Sequence, residues 1–302
     1  MNIVSKPSGV RAPVWRGIPR RGAGWVLAVA LAVSWAGPGR PVAGAASAPT
    51  PESGLRVVDR EVPEGVELAV VSTQVAPVTL SITVAGKNAA PDREMPVVVS
   101  SPGPGKYPFV ILKPVQEDQS FSWKVKYDWR FGQVAATHDP KLVYALPFKS
   151  GQSFVIGQGF HGTFTHSGND EFAVDFDLPI GTEVLAARSG TVVLVVDKFD
   201  RGGPDLSLRE KANYVLVRHD DGTLGEYVHL KRDGARVKPG QGVRVGDLIG
   251  LSGDVGYSRG AHLHFAVFRA VNGIDRETFP MRFKAREGEA IEPVEGARLT
   301  AP

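Results

Sequence analysis

Apolar and polar residues alternate one by one in several stretches of the chain, which is the pattern of β-strands with one buried and one exposed face. The clearest examples are residues 78–84 and the longer stretch 121–131, where every second residue is large and apolar. No helical repeat of useful length occurs between residues 55 and 290. We therefore predict an all-β protein. The apolar face of 121–131 is interpreted as the core of a small β-sandwich rather than as an aromatic ligand platform.

Changes in composition along the chain predict its domain organisation. Residues 46–54 are rich in proline, serine and alanine, as in a linker. Residues 55–147 are expected to form an N-terminal β domain, residues 148–290 a second, antiparallel β domain, and residues 291–302 a C-terminal tail.

The first 45 residues have the layout of a secretory signal peptide. Arg16, Arg20 and Arg21 precede a 12-residue apolar run at 25–36, and small residues follow at 43–45. A membrane-spanning helix needs about 20 apolar residues, so a cleaved signal is favoured over a retained anchor. We expect export to the periplasm, cell envelope or extracellular space, with no membrane span after cleavage.

Charge and cysteine content exclude several classes of function. The 302 residues carry a net charge of +3, but residues 1–45 hold six basic and no acidic residues. The remainder has 29 basic and 32 acidic residues, which argues against nucleic acid as a partner. The chain has no cysteine, so disulfides, thiolate metal sites and a cysteine nucleophile are excluded. A His-Glu-x-x-His helix and a Walker loop are also absent from the sequence. Residues 256–260 match Gly-x-Ser-x-Gly, but no helical pattern follows them, so they do not form a nucleophile elbow.

Histidines are concentrated in the second domain, where six of the seven lie between residues 161 and 264. On a strand, His262 and His264 point to one face, while Leu263 and Phe265 point to the core. Two imidazoles on one rigid strand are well placed to bind one metal, or one metal and one reacting water. Such clustering indicates a metal or acid–base site.

An acidic residue is expected to join these histidines. Asp175 and Asp177 lie on the polar face of a short strand, and an uncompensated carboxylate among apolar neighbours is costly to bury. We therefore expect a cation beside Asp175. His166 lies nine residues upstream in a loop, and a loop histidine and a strand aspartate can converge on one ion.

The remaining histidines are assigned from their local sequence. His229 is expected to be catalytic, and Tyr227 on the same strand face is a further candidate. His219 opens a turn and is expected to bond backbone, whereas His138 and His161 are expected to lie outside the site.

Residues 148–285 resemble the lysostaphin/LytM-type zinc metallopeptidases, which cut bacterial peptidoglycan and have an antiparallel β-sheet fold with a duplicated hybrid motif. The order and spacing of many short segments carry the resemblance, namely 164–166, 173–176, 181–187, 189–192, 213–215, 219–223, 227–230, 237–240, 246–250 and 262–265. Two departures are a longer spacing between His166 and Asp175 and Ala261 in place of the usual proline.

The resemblance implies that His166, Asp175 and His264 hold one zinc ion, with His262 and His229 beside the reacting water. It implies a secreted metalloendopeptidase acting on peptidoglycan peptides through a zinc-activated water, with His262 as general base and His229 as electrostatic stabiliser, or with the two roles reversed. The polar segment 198–211 is a candidate wall of the substrate groove.

The sequence also allows two other functions to be considered. An inactive module that binds cell wall or activates another hydrolase predicts loss of at least one ligand, and all are present. A biotin- or lipoyl-type carrier is suggested by 192–198 and 237–251, but its modification is cytosolic, against the export signal.

Overall fold

The computed structural model describes residues 54–302. The predicted signal peptide, and all of the predicted linker except Gly54, lie outside the described residues. Within 54–302 the chain is almost entirely β, which confirms the predicted all-β class. In this part of the chain no helix has the length and apolar character needed to cross a membrane.

The first unit is a β-sandwich of two antiparallel sheets. One sheet has the order β1-β2-β6-β4 and the other β5-β3-β7. Their bounds are β1 Leu55–Val62, β2 Gly65–Ser72, β3 Val78–Lys87, β4 Ala89–Pro91, β5 Val97–Ser101, β6 Gly105–Pro114 and β7 Ser122–Phe131.

The two sheets share one hydrophobic core, to which the alternating face of β7 contributes. Trp123, Val125, Tyr127 and Trp129 are all buried in it, as the alternation predicts. These side chains pack against β3, which pairs with β7 along its whole length. The aromatic face is therefore core.

The second unit is built on a nine-stranded sheet of order β16-β12-β14-β15-β19-β10-β9-β23, with β20 also paired to β19. Three smaller sheets, β11-β17, β13-β18 and β22-β21-β8, complete the unit. The bounds are β8 Val143–Ala145, β9 Ser153–Gln158, β10 Val174–Phe176, β11 Glu183–Leu185, β12 Gly190–Val196, β13 Gly202–Gly203, β14 Tyr214–Arg218, β15 Leu224–Val228, β16 Gly242–Val243, β17 Leu248–Leu251, β18 Gly256–Tyr257, β19 Leu263–Ala270, β20 Arg276–Thr278, β21 Arg282–Ala285, β22 Gly288–Ile291 and β23 Arg298–Thr300. Short 3-10 turns occupy Gly168–Asp170 and Leu206–Leu208.

Two elements differ from the sequence-based boundaries. Strand β8 lies inside the predicted N-terminal domain, yet it pairs with β21 and buries Tyr144 in the core of the second unit. The predicted tail 291–302 contains β23, which pairs with β9 and buries Leu299 and Ala301. Both strands are only three residues long and pair with distant partners, so local alternation could not reveal them.

The two units are in direct contact through the outer face of the large sheet. Ala76 of the first unit joins an apolar cluster formed by Val193, Leu216, Leu224 and Phe268 of the second. Close by, Gly132 has a φ of +109° and lies so near the backbone of Ala270 that a side chain would collide with it. The sandwich is therefore packed tightly against the back of the sheet.

Candidate metal and acid–base site

Asp175 lies at the centre of the site because β10 runs between β9 and β19. Its cross-strand partners are His264 on β19 and Gln158 on β9. Oδ2 accepts a hydrogen bond from Nε2 of Gln158 at 3.0 Å. Oδ1 lies 2.9 Å from Nδ1 of His264 and 3.1 Å from Nε2 of His166. One oxygen of this carboxylate thus faces both imidazoles.

His166 reaches the same point from the loop before the 3-10 turn Gly168–Asp170. Its side chain is completely buried. Nδ1 lies 2.8 Å from the carbonyl oxygen of Gly159, and because a carbonyl can only accept, Nδ1 carries the proton. Nε2 is consequently the ring nitrogen directed at Asp175.

One atom from each of His166, Asp175 and His264 lies within 4.8 Å of the other two. All three residues are buried. Two imidazole nitrogens and a carboxylate oxygen are a donor set that zinc and similar divalent ions accept. The longer spacing between His166 and Asp175 does not prevent their convergence.

The electrostatics of this cluster also fit a cation. Burial opposes ionisation of Asp175, but its hydrogen bonds to His166 and His264 hold its pKa well below its usual range. Burial likewise opposes protonation of His264, yet Asp175 and Glu226 raise its pKa to about 9. The cluster therefore favours one positive charge beside Asp175, as a metal ion would supply.

His229 and His262 lie side by side, with ring centroids 4.4 Å apart. Nδ1 of His229 lies 2.8 Å from the carbonyl oxygen of Val255, and Nδ1 of His262 lies 2.8 Å from that of Gly260. Each Nδ1 therefore donates its proton to backbone, and each Nε2 is left as an acceptor. Nε2 of His262 lies 3.8 Å from Oδ1 of Asp175, so this acceptor faces the cluster.

His229 has an unusual backbone conformation and, because of its surroundings, an unusual protonation equilibrium. It follows β15 with a φ of 67°, a left-handed conformation that is unusual for histidine. Burial, together with His262 and His264, lowers its pKa to about 3. His229 is thus neutral at ordinary pH.

The other histidines lie apart from this centre, in the positions expected for structural residues. His219 donates from Nδ1 to the carbonyl oxygen of Ser189 at 2.9 Å. His138 stacks on Phe279 and lies 3.0 Å from the hydroxyl of Tyr144. His161 packs its ring edge-on against Phe172.

Tyr227 does not line the site as expected. It is completely buried, and its hydroxyl accepts the backbone N–H of Ala187 at 2.9 Å. Asp177 keeps much of its surface in solvent, and the partial loss of hydration of its carboxylate raises its pKa above the usual value.

Sequence reasoning missed the residues that support the cluster. Gln158 is one, because nothing in its local sequence indicates that β9 pairs with β10. Glu226 is another, and it had a detectable signal: it is a carboxylate within β15, whose other residues are apolar apart from glycine.

Segment 198–211 includes β13 and the 3-10 turn 206–208. Near its end, the guanidinium of Arg209 lies 5.1 Å from the ring centre of Tyr257. Tyr257 in turn lies beside Phe164, on which Arg259 stacks at 3.5 Å. In this stack two neighbouring aromatic rings lie between two guanidinium groups, and Phe164 is two residues from His166.

An all-β domain that gathers two histidines and an aspartate into a cation-binding cluster, with two more histidines beside it, has the make-up of a metallopeptidase. Residues 169–276 match Peptidase family M23, and this match confirms the resemblance to lysostaphin/LytM-type peptidases. The matched range includes Asp175, His229, His262 and His264, and begins three residues after His166. Residues 169–276 therefore carry an M23 metallopeptidase domain.

Individual relatives align with the same part of the chain. Peptidoglycan DD-endopeptidase ShyA of Vibrio cholerae is 36% identical over 110 residues, which are 35% of this chain and 23% of that protein. Lysostaphin of Staphylococcus staphylolyticus is 34% identical over 162 residues, 51% of this chain and 29% of that protein. The chain thus spans less than a third of these two relatives. The solved catalytic domain of Staphylococcus simulans lysostaphin is 25% identical, covering 42% of this chain and 87% of that one with a TM-score of 0.29.

Proposed function

We propose that the protein is an exported zinc metalloendopeptidase that hydrolyses peptide bonds in the stem or cross-link peptides of peptidoglycan. The observation that carries this proposal is the convergence of His166, Asp175 and His264 on one point, beside the paired rings of His262 and His229. The names of the relatives support the substrate, since ShyA is a peptidoglycan DD-endopeptidase.

His166, Asp175 and His264 would hold the metal, through Nε2, a carboxylate oxygen and Nδ1 respectively. When bound, zinc supplies Lewis-acid polarisation of the scissile carbonyl and makes the attacking water more acidic. Three protein ligands are typical of catalytic rather than structural zinc sites. The buried position of the ligands excludes bulk water from the charges they carry.

His262 is proposed as the general base. Its Nδ1–H is tied to the carbonyl of Gly260, which leaves Nε2 ready to accept a proton from the attacking water. After accepting it, His262 would hold the proton and pass it to the leaving amine. Its place at the entrance to β19, two residues from His264, keeps the base and the ligand in fixed register.

His229 is proposed to act as a neutral hydrogen-bonding partner. The sequence suggested a charged stabiliser, but a pKa near 3 disfavours a positive charge on this ring. Nε2 of a neutral His229 can accept a hydrogen bond from the attacking water and orient it toward the substrate. Because a ring with so low a pKa is a weak proton acceptor, the role of base is kept for His262.

The domain organisation and location form part of the same proposal. We propose a signal peptide at 1–45 and a linker at 46–54, followed by the β-sandwich and the peptidase unit. The pairing of β8 with β21 supports a junction between the two units after β7 and before residue 143. Segment 291–302 is assigned to the peptidase unit because β23 completes its sheet. Export rests on residues 1–45 and places the enzyme with its substrate.

The decisive experiment is incubation of the mature protein, loaded with zinc, with purified peptidoglycan, followed by mass spectrometry of the released muropeptides. We expect new products from cleaved peptide bonds, and no products from the H262A variant or from protein treated with a chelator. Binding to peptidoglycan without any product would instead support the inactive cell-wall-binding module.

A further inference from the structure

A buried carboxylate lies behind His264, on the side of the ring away from Asp175. Glu226 projects from β15, which pairs with β19 so that Glu226 faces Ala266 and Val228 faces His264. Oε1 of Glu226 lies 3.5 Å from Nε2 of His264. Both side chains are about nine-tenths buried. The ring of His264 is therefore held between two carboxylates, one at each nitrogen.

Arg276 on β20 fixes the position of Glu226. Its Nη2 donates to the same oxygen, Oε1, at 2.6 Å. The guanidinium also pairs with Asp170, to which Nε donates at 2.9 Å. Asp170 lies in the 3-10 turn that follows His166. One buried guanidinium thus links the turn that follows His166 to the carboxylate that contacts His264.

The first unit contributes a further charge to this region. Arg130 at the end of β7 is buried, and it interacts electrostatically with Arg276, Asp170 and Glu226. Asp275 also acts on Arg130, so two guanidinium groups lie among three carboxylates at the base of the site. If Arg276 served only to pair with Asp170, no second carboxylate would be required, yet Glu226 also pairs with Arg276 and lies beside the ring of His264.

The chemistry of imidazole gives the position of Glu226 a consequence. A neutral imidazole has one N–H, and the nitrogen that carries it cannot bind a metal. A carboxylate facing Nε2 stabilises the proton there, which leaves the lone pair on Nδ1, the nitrogen directed at Asp175 and the cluster. Carboxylate–histidine–metal arrangements of this kind orient the ring and strengthen the ligand.

We propose that Glu226 is a positioning residue for the metal centre: held by Arg276, it accepts the Nε2–H of His264 and so directs Nδ1 of that ring to the metal. The inference rests on the proposed function, because it assumes that His264 is a metal ligand. Glu226 would not touch the metal itself. In the sequence it is not adjacent to a histidine and is not part of a motif with the histidines.

The test measures zinc affinity of the folded protein rather than activity. Metal-free wild type and the variants E226Q and E226L are titrated with zinc in competition with a chromophoric chelator. Loss of an outer partner costs roughly 10–100-fold in metal affinity, so we expect about tenfold weaker binding for E226Q, which retains an oxygen acceptor, and a larger loss for E226L. The control is E277Q, which removes an exposed glutamate that pairs with Arg269 and should bind zinc as wild type does.

Thermal unfolding of the metal-free variants separates positioning from a purely structural role. If E226Q lowers the unfolding temperature but binds zinc with unchanged affinity, Glu226 only stabilises Arg276 and the inference is wrong. If E226L does not fold, E226Q decides the question alone. If wild type binds no zinc at all, the proposed function is overturned. If wild type and E226Q bind zinc equally well, only the inference about Glu226 is overturned.

Discussion

His262 and His264 are separated by one residue, yet they meet the cluster through different ring nitrogens. Nδ1 of His264 faces Asp175, whereas Nδ1 of His262 is occupied by a backbone carbonyl and Nε2 faces inward. Nε2 of His262 lies 3.8 Å from Oδ1 of Asp175, farther than Nε2 of His166 at 3.1 Å, so His262 is better placed to accept a proton than to complete the ligand set. The two histidines should therefore fail in different ways when replaced.

We predict that H264A loses zinc, whereas H262A retains it and loses activity. Removal of a direct ligand should weaken zinc binding by more than the roughly 10–100-fold expected for an outer partner. Loss of a general base should lower kcat/KM by about 10²–10⁴-fold with zinc content unchanged. Zinc content and hydrolysis of purified peptidoglycan, measured on the same samples, give both quantities. Equal loss of zinc from the two variants would contradict the division of roles.

The pKa of His229 predicts how the metal-free protein responds to acid. In the folded state this pKa is about 3, below the ordinary 6.5. A depressed pKa means that its contribution to stability is fully present above pH 6.5 and is lost as the pH falls toward 3, because the unfolded chain takes up the proton first. The matched variant is H229N, since asparagine tolerates a positive φ and does not titrate in this range.

Between about pH 6.5 and 3, the free energy of unfolding of wild type should fall more steeply with decreasing pH than that of H229N, by up to about 1.4 kcal/mol per pH unit. Urea denaturation of chelator-treated proteins at a series of pH values measures this difference in slope. Parallel pH profiles for wild type and H229N would show that His229 is not buried in the neutral form.

At the scale of elements, the C-terminal strand provides a sharp test because the sequence and the structure disagree about it. Leu299 in β23 is buried, whereas Val294 in the connection before it is 63% exposed. We predict that L299A lowers the free energy of unfolding by about 2–5 kcal/mol, since it leaves a cavity in the core. V294A should change it by less than about 0.5 kcal/mol. Denaturant titration compares them, and equal, small effects would restore the tail interpretation.

The elements that the sequence could predict are those whose signal is local. Alternation reveals β3 and β7, and the histidine-bearing strand β19 was recognised from its apolar face at Leu263 and Phe265. Strands β8 and β23 carry too few residues for a period to show, and each exists because of a partner more than 130 residues away. Such pairing depends on the assembled sheet and not on the segment itself.

The same distinction holds within the site. His166, Asp175 and His264 were singled out from residue type, strand period and family resemblance, and the structure brings them together. Glu226 and Gln158 went unnoticed because their importance lies in which strand is adjacent to which, a property of the sheet order. The expectation for Tyr227 was wrong because β15 ends at Val228 and His229 adopts a left-handed φ, so the two residues do not share a strand face. The hydroxyl of Tyr227 instead bonds backbone within the core.

At the scale of the whole molecule, the contact between the two units should be part of the folding equilibrium. Ala76 is 1% exposed within the apolar cluster between them, and its neighbour Val75 is 51% exposed. We predict that A76D separates the units or destabilises the protein by several kcal/mol, because an unpaired carboxylate would be buried. V75D is the matched control and should behave as wild type.

Differential scanning calorimetry distinguishes these outcomes. Wild type and V75D should unfold in one transition, and A76D should unfold at lower temperature or in two transitions as the units lose their coupling. A single, unshifted transition for A76D would mean that the two units contribute nothing to each other's stability.

The order of strands in the large sheet also affects how quickly the metal and acid–base site can form during folding. Strand β9 is enclosed by β10 on one side and by β23 on the other, and Asp175 and His264 are brought together across 89 positions of chain. Contacts between residues so far apart form only after long loops have closed, and loop closure costs conformational entropy before the contacts can stabilise the fold. Chains of this topology therefore fold in milliseconds to seconds rather than microseconds. His264 can meet Asp175 only after the long loop between them has closed. A partly folded chain would therefore have no working centre, and proteolytic activity would appear only with the finished sheet.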